Sequence, residues 1–524
     1  MQHPIISKAH LLPSLLGLAF LTACGEAPQE VDDSAVVAAE QELTFAQRQA
    51  NCATDPRVQA GIVSSDICVG ADFFFRETFS GNGRTCASCH RVEQNFTIDP
   101  PFIATLPGND SLFVAEFNPT LANLERPAQM RARSLILENV DGTQPGGPNV
   151  RFALRSTPHN LSMGTSILNP AGAANPPAER TGWSGDGAPG QGRLADFTNG
   201  AIGQHFTRSL NRVAGTDFRV ATEQEGQAVA LFMRELGRKN EIELSAVGFS
   251  DAGAMTGRDR FLAVGCNGCH RNAGANTGAA VTNRNFNTGV ESARNSGLAS
   301  FPRDGGFGST PANADGSFGD QTFNSTPLVE AADTGPFFHT DTTISGAPAH
   351  NTGSANTIEQ ATAFYATPAF ANSPSGGGAP LAINATDIGN IGRLLRAVNA
   401  VFNIQMAAKR ASGSRQIGNV FGNGTALQLQ KQKELCTLAV VEIDDAIAVL
   451  QGNSIVGSPV GGTINPTQVA RLQTARTNLV SCSTNNTAGS RMSQIGVAIN
   501  MLDLADTEIA PNINFNIGSG TLMN

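Results

Sequence analysis

Two Cys-x-x-Cys-His pentads constrain this chain more than any other feature of its sequence. CASCH occupies residues 86–90 and CNGCH residues 266–270, so these pentads hold four of the nine cysteines. Such a pair can hold zinc, exchange disulfides, or carry a covalent c-type haem when histidine follows directly. Zinc units usually repeat within about 15 to 20 residues, whereas these pentads begin 180 residues apart. The pattern therefore predicts two covalently bound haem c groups.

Each pentad assigns roles to its own residues. In a c-type site the two thiols add to the porphyrin vinyl groups, and the adjacent histidine ligates the iron from one side. The expected iron ligands are His90 and His270. The opposite side decides the chemistry, because a second strong ligand favours electron transfer and an open position favours activation of O2 or peroxide. The expected attachment points are Cys86, Cys89, Cys266 and Cys269.

Residues 1–23 indicate export. An apolar run from Leu11 to Leu21 ends in Leu-Thr-Ala-Cys, which resembles the lipobox of a bacterial lipoprotein signal. Cleavage before Cys24 and acylation there would attach the chain to a membrane. A secretory signal cleaved without lipidation is the alternative. Both interpretations place the mature chain outside the cytoplasm, so we expect a cell-envelope protein that faces the periplasm or the exterior.

The charge pattern argues against nucleic acid as a partner. Charged residues make up 15% of the chain and the formal net charge is −9. A nucleic-acid-binding domain typically presents a basic stripe, and the sequence has none. We therefore expect no nucleic acid among the partners.

Four cysteines remain for disulfides, which are common in exported proteins. Cys52 and Cys68 lie 16 residues apart in one short segment. Cys436 and Cys482 each lie 23 residues from the centre, near residue 459, of a predicted helical hairpin. In an antiparallel pair of helices they would lie level with one another. We expect Cys52 to pair with Cys68 and Cys436 to pair with Cys482.

Apolar periodicity predicts a mainly α fold with long irregular loops. TEQEGQAVALFMRELG, from Thr222, is a helix with Glu225 at the capping-box position, and Asn356 is the expected cap of a second helix, with Glu359 at the same position. Three amphipathic helices follow residue 426. The expected organisation is a lipoprotein signal (1–23), a tether (24–50), two cytochrome c-like haem domains (51–245 and 246–425) and a C-terminal helical hairpin or bundle extension (426–524).

Several segments between about residues 70 and 400 follow one another in a recognisable order. They are CASCHRVEQNFTID (86–99), RSTPHNL (155–161), TGWSGDG (181–187), GRDRFLAVGCNGCH (257–270), FNTGV (286–290), STPLVEAADTGPFFHTD (325–341) and TIEQATAFY (357–365). In order and spacing they resemble the bacterial di-haem cytochrome c peroxidase superfamily. That superfamily includes peroxidases, the di-haem enzyme that matures a quinone cofactor and, more distantly, di-haem rubber oxygenases.

The resemblance implies a division of labour between the haems. The N-terminal haem is the reactive one, and the C-terminal haem passes electrons through an intervening tryptophan. Trp183, the single tryptophan of the chain, matches that position. A lone tryptophan that simply packs in the core is the alternative.

The chain departs from the family after Trp183. The peroxidases place a glutamine and then a glutamate about 10 and 20 residues later, and the glutamate moves the proton that lets the O–O bond break. Here residues 184–207 contain no glutamate; Phe197 and Thr207 fall near those positions. An apolar residue there resembles the oxygenases. His205 is a candidate distal acid or base, and His159 is a weaker one; an ordinary hydrogen-bonded histidine is the alternative for each.

The sixth ligand of the second haem has two candidates. In the family this ligand lies at the end of the helix matched by TIEQATAFY, and it is methionine or tyrosine. Tyr365, the single tyrosine of the chain, occupies that position. His339 is the rival because bis-histidine ligation works equally well. A tyrosine that merely packs with its hydroxyl bonded is the third alternative.

Three functions remain open from the sequence. The leading one is a di-haem oxidoreductase that reduces or activates peroxide or O2 with electrons from a redox partner protein or a small donor. An oxygenase for an apolar substrate and a non-enzymatic envelope electron carrier are the others. The resemblance also implies a calcium ion, whose ligands have no assigned positions in this chain.

Overall fold

A computed structural model of the protein describes residues 42–139, 152–168, 179–185, 192–277, 282–306, 319–346, 355–452 and 462–524. The chain from Leu43 onward forms one compact unit. The predicted signal, Cys24 and most of the tether lie outside the described residues. Within those residues, we find no helix of the length and apolar character needed to cross a membrane. The predicted boundaries between the haem domains and the extension stay predictions.

The described residues are mainly helical, which confirms the predicted fold class at that level. Two short antiparallel hairpins supply the strands, with Leu135 opposite Ser156 in the first and Asn285 opposite Asn324 in the second. The strands are β1 (Leu135–Asn139), β2 (Phe152–Ser156), β3 (Asn285–Phe286) and β4 (Phe323–Asn324). The helices are α1 (Phe45–Thr54), α2 (Pro56–Gln59), α3 (Ser65–Arg76), α4 (Pro100–Ile103), α5 (Val114–Phe117), α6 (Pro127–Arg133), α7 (Met163–Ser166), α8 (Leu194–Ala201), α9 (Glu223–Arg234), α10 (Ala252–Ala263), α11 (Ile358–Phe364), α12 (Pro368–Ala371), α13 (Ala385–Phe421), α14 (Ala426–Leu450), α15 (Pro466–Thr484) and α16 (Ala488–Ile509).

Helices α3 and α9 cross closely in the N-terminal half. A Cβ atom at Gly70 would lie 2.0 Å from the carbonyl oxygen of Ala228, so only glycine permits this separation of the two backbones. The rings of Phe74 and Phe232 pack 5.1 Å apart across the same contact. Thr222 caps α9 with Glu225 in a capping box, as predicted. The crossing therefore holds the helix that precedes the first pentad against α9.

The predicted C-terminal helices are confirmed as α14, α15 and α16, with α14 and α16 packed along α13. Inside this bundle a buried ion pair joins Arg410 to Glu442 at 2.6 Å. Both predicted disulfides lie at bonding distance, with Cα–Cα separations of 5.8 Å for Cys52–Cys68 and 6.2 Å for Cys436–Cys482. The second disulfide ties α14 to α15.

The helical extension also contacts the segment after the first pentad. Asn95 donates a hydrogen bond to Asp445 at 3.2 Å. Nearby, Asn403 and Asn399 donate to Asp333 at 2.6 and 3.0 Å. Burial raises the pKa of Asp333 to about 7, while the hydrogen bond from Asn403 acts in the opposite direction. Asp445 thus connects the extension to the segment after the first pentad, and the buried Asp333 connects α13 to the segment after the second pentad.

One predicted cap was wrong by one residue. Thr357, rather than Asn356, caps α11, because its hydroxyl accepts from the backbone N–H of Gln360. Gln360 completes the box by accepting from the N–H of Thr357 at 3.0 Å. Glu359 is free for another partner and forms a buried two-point ion pair with Arg396 of α13. That pair fixes α11, whose C-cap is Tyr365.

Candidate functional site

The two pentads adopt the same local conformation. Cys86–Ser88 and Cys266–Gly268 each form one 3-10 turn. The N–H of His90 donates to the carbonyl of Cys86 at 3.0 Å, and the N–H of His270 donates to the carbonyl of Cys266 at 2.9 Å. The turn places the histidine directly beside its own cysteine pair. All four pentad thiols are half-buried and none is in a disulfide, whereas the other four described cysteines are paired.

Both pentad histidines are held in the same orientation. Nδ1 of His90 lies 2.9 Å from the carbonyl oxygen of Phe96, and Nδ1 of His270 lies 2.9 Å from that of Thr326. Such a carbonyl bond places the proton on Nδ1 and leaves Nε2 as a lone-pair donor to a metal. Burial lowers the pKa of His90 to about 4 and also lowers the pKa of His270. Both imidazoles are therefore neutral and ready to ligate.

A cavity of about 350 Å³ opens beside the second pentad. Its wall includes Cys266, Cys269 and His270, and it also includes the predicted residues Trp183, His339 and Tyr365. Phenylalanine and leucine side chains make up much of the remaining wall, among them Phe261, Phe286, Phe337, Leu381 and Leu395. Unpaired thiols, an oriented imidazole and an apolar cavity are the donor set and surroundings that haem c requires. The residues present fit the group.

Tyr365 presents its hydroxyl near the second pentad. Its ring packs edge-on against Phe364 and Phe370. Burial raises the pKa of the phenol above its ordinary value, and the adjacent thiols of Cys266 and Cys269 raise it further. The choice between ligation and a packed, hydrogen-bonded tyrosine stays a prediction.

His339 is committed to other contacts. Its Nε2 lies 2.9 Å from a carboxylate oxygen of Glu291, and its ring stacks on Phe323 at 3.6 Å. Trp183 lies beside it at 6.2 Å between ring centroids and donates its indole N–H to the carbonyl of Ser156 at 2.7 Å. The geometry thus favours Tyr365 over His339 as an iron ligand, and it fixes Trp183 in the cavity wall.

The segment that carries His205 lies against the chain just before the first pentad. His205 belongs to a π-helical turn, Ile202–Phe206, a conformation frequent at functional sites. Asn82 donates its side-chain N–H to the carbonyl of His205 at 3.0 Å and its backbone N–H to that of Phe206 at 2.7 Å. A Cβ at Gly81 would meet the Phe206 carbonyl at 2.2 Å. The structure therefore brings the predicted acid or base to the first haem motif.

The buried position of His205 between charged side chains lowers its pKa. Burial lowers its pKa to about 3, and the charges of Arg84 and Arg212 and then of His90 lower it further. His90 is thus near enough for the two imidazoles to influence one another. His205 is therefore neutral at physiological pH, with one ring nitrogen able to accept a hydrogen bond.

The remaining predicted residues lie near Trp183 or in the cavity wall. The ring of Phe197 would lie 3.2 Å from a Cβ at Gly182, the residue before Trp183. His159 lines the cavity and accepts a hydrogen bond from the N–H of Leu161 at 3.3 Å. Burial lowers the pKa of His159 to about 4, and Arg238 adds to this effect. An ordinary hydrogen-bonded role suits His159.

Three charged residues near His205 were not predicted from the sequence. Arg84, Glu125 and Arg212 are all buried. Arg84 precedes the first pentad by two residues, which is a weak signal. Glu125 and Arg212 lie in irregular segments with no periodicity, so their proximity is visible only in the fold.

No family model, curated protein or solved structure matches this chain. Within the described ranges no group of three or more His, Cys, Asp or Glu side chains is arranged to hold a metal ion. The calcium ion implied by the resemblance stays a prediction without assigned ligands.

Proposed function

We propose that the protein is an exported di-haem c-type cytochrome with oxidoreductase activity. The haem at His90 reduces or activates peroxide or O2, and the haem at His270 relays an electron through Trp183. One observation carries the proposal: both pentads combine two unpaired thiols with a histidine whose Nδ1 is bonded to a backbone carbonyl. A redox partner protein or a small donor supplies the electrons, and lipidated Cys24 attaches the protein to the envelope.

The side chains of the chain have separate tasks around these groups. Bound haem supplies one-electron iron chemistry and, where a coordination position is open, binding of small oxygen species. His90 and His270 orient the iron through their Nδ1 hydrogen bonds. The bond from the Trp183 indole to Ser156 holds its ring in one position at the cavity. His205, held by Asn82, faces the first motif as a proton acceptor.

An O2-dependent oxygenase for an apolar substrate is the second candidate. It is supported by Phe197, whose half-buried ring lies against Gly182, and by the lack of a glutamate among residues 184–207. A stable haem–O2 spectrum in the protein as isolated would favour this candidate over a peroxidase.

Ligand binding to the holoprotein tests the proposal. We expect cyanide in the oxidised state and CO in the reduced state to bind only one of the two haems. Under the proposal Tyr365 would occupy the sixth position of the haem at His270, whereas the haem at His90 would keep its sixth position for a ligand. Hydrogen peroxide consumption with a reduced donor then measures turnover. If neither haem binds a small ligand in any redox state, the protein is an electron carrier and the proposed activity is wrong.

Substitution of Tyr365 by Phe tests the proposal that Tyr365 is the sixth ligand of the haem at His270. Loss of an anionic oxygen ligand is expected to raise the midpoint potential of one haem by on the order of 0.1 V, a fraction of the roughly 0.8 V range that axial ligands span. Optical redox titration measures the change. His339→Gln is the matched control and should leave both potentials near their wild-type values; the opposite result would make His339 the ligand.

A further inference from the structure

A buried carboxylate, Glu125, lies beside the predicted acid–base residue of the first haem site. Its side chain is fully buried. One oxygen accepts from Arg84 at 2.7 Å and the other accepts from the N–H of Leu137 at 2.8 Å. Burial raises the pKa of Glu125, while Arg84 and the Leu137 N–H act to lower it. Hydrogen bonds to both oxygens thus hold the Glu125 carboxylate in one orientation.

His205 approaches this carboxylate without bonding to it. Its Nδ1 lies 4.0 Å from the Glu125 oxygen that Arg84 also contacts. This nitrogen is buried and has no hydrogen-bond partner among the described residues, although 17% of the side chain is exposed. The accessible atoms of the ring therefore lie away from Glu125. A shift of about one ångström would bring Nδ1 within normal hydrogen-bond distance.

Arg212 adds unpaired donors to the same place. The side chain is buried, and its Nε and Nη2 have no hydrogen-bond partner in the part of the chain that the structure describes. Burial lowers the pKa of Arg212, and the charge of Glu125 acts in the opposite direction. A buried guanidinium normally satisfies its donors. Orphaned atoms on two adjacent side chains indicate a place prepared for a small polar ligand.

We propose that Glu125, His205 and Arg212 replace the glutamate that the chain lacks after Trp183. This inference rests on the proposed function. Glu125 is a positioning residue: it accepts a hydrogen bond from Nδ1–H of His205 and leaves Nε2 as the base. Arg212 donates hydrogen bonds to the oxygen ligand.

The proton balance follows from these roles. In the overall reaction, hydrogen peroxide takes two electrons from the reduced donor and two protons from solvent, and two waters leave. His205 Nε2 accepts the proton of one peroxide oxygen and gives it to the other, so that the O–O bond breaks with water as the leaving group. The positive charge that His205 carries in between is stabilised by Glu125 and opposed by Arg84 and Arg212.

Cyanide association with the oxidised holoprotein tests this arrangement independently of turnover. Hydrogen cyanide must lose its proton as it binds, so the rate reports on a local base. General-base catalysis contributes typically 10²- to 10⁴-fold; we therefore expect His205→Ala to slow association by about 100-fold. Glu125→Gln should slow it by about tenfold and shift the pH profile of the rate, and Glu125→Asp should recover part of the loss.

The controls separate the possible failures. Glu116→Gln, which changes a partly exposed carboxylate paired with Arg131, should leave the rate and the pH profile unchanged. Arg212→Met should weaken the affinity for fluoride, a ligand held by donated hydrogen bonds, and it serves as the second test if Glu125→Gln does not fold. Wild-type protein that binds no cyanide would overturn the proposed function. Normal cyanide kinetics in the His205 and Glu125 variants, with normal fluoride affinity in Arg212→Met, would overturn this inference alone.

Discussion

Replacing Cys266 and Cys269 by alanine is expected to halve the covalently bound haem, from two groups per chain to one. In the proposed assignment these thiols are the attachment points, and a cavity of about 350 Å³ would remain beside His270. The haem at His90 should still bind CO, but steady-state peroxide turnover should fall at least 100-fold because the relay through Trp183 is lost. Pyridine haemochrome analysis after acid–acetone extraction gives the haem count.

Two further variants make this result specific. The reciprocal change, Cys86→Ala with Cys89→Ala, should also leave one haem but should abolish CO binding. Removal of the Cys52–Cys68 disulfide by two alanine substitutions should retain both haems, because these cysteines are bonded to each other. Two haems in either pentad variant, or zinc in place of porphyrin in the wild type, would contradict the motif assignment.

Arg396→Met is expected to lower the free energy of unfolding by roughly 3–5 kcal/mol, because it leaves the charge of Glu359 buried and unpaired. The guanidinium now donates to both oxygens of Glu359 at 2.7 and 2.9 Å and to the carbonyl of Val449 at 3.3 Å. Both side chains are almost fully buried. Urea denaturation of the holoprotein, followed by circular dichroism, measures the loss.

The pair offers a control on each side. Arg476→Met removes an ion pair whose two side chains are nearly half exposed, and it should cost less than about 1 kcal/mol. The double variant Arg396→Met with Glu359→Leu should recover much of the stability, because replacing both buried charges by apolar groups is often neutral. A single variant as stable as the wild type would contradict the expected cost of leaving Glu359 unpaired.

Local patterns of the sequence predicted local structure well. The α9 cap, the three C-terminal helices and both disulfides follow from residues close together along the chain or related by one hairpin. The cap of α11 is Thr357 rather than Asn356, and its capping box with Gln360 is a local Thr-x-x-Gln pattern that the expected cap overlooked. The pairing of Glu359 with Arg396 has no signal in the sequence, because it joins residues 37 apart on two different helices.

The polar residues around the first pentad could be identified only from the folded structure. Glu125 and His205 lie 80 residues apart, and the turn that carries Arg212 has no periodic pattern. Likewise, the choice between Tyr365 and His339 depends on Glu291, which engages His339 from a separate segment. The family resemblance supplied Tyr365 as a candidate ligand, and only tertiary contacts distinguish it from His339.

Gly70 links the packing of two helices to the position of the first pentad. A methyl group at residue 70 would lie 2.0 Å from the carbonyl oxygen of Ala228, so α3 and α9 would have to move apart. Because α3 also contacts the turn Cys86–Ser88, we expect Gly70→Ala to displace that turn and, under the proposed function, to alter ligand binding at the His90 haem without changing a residue of the site.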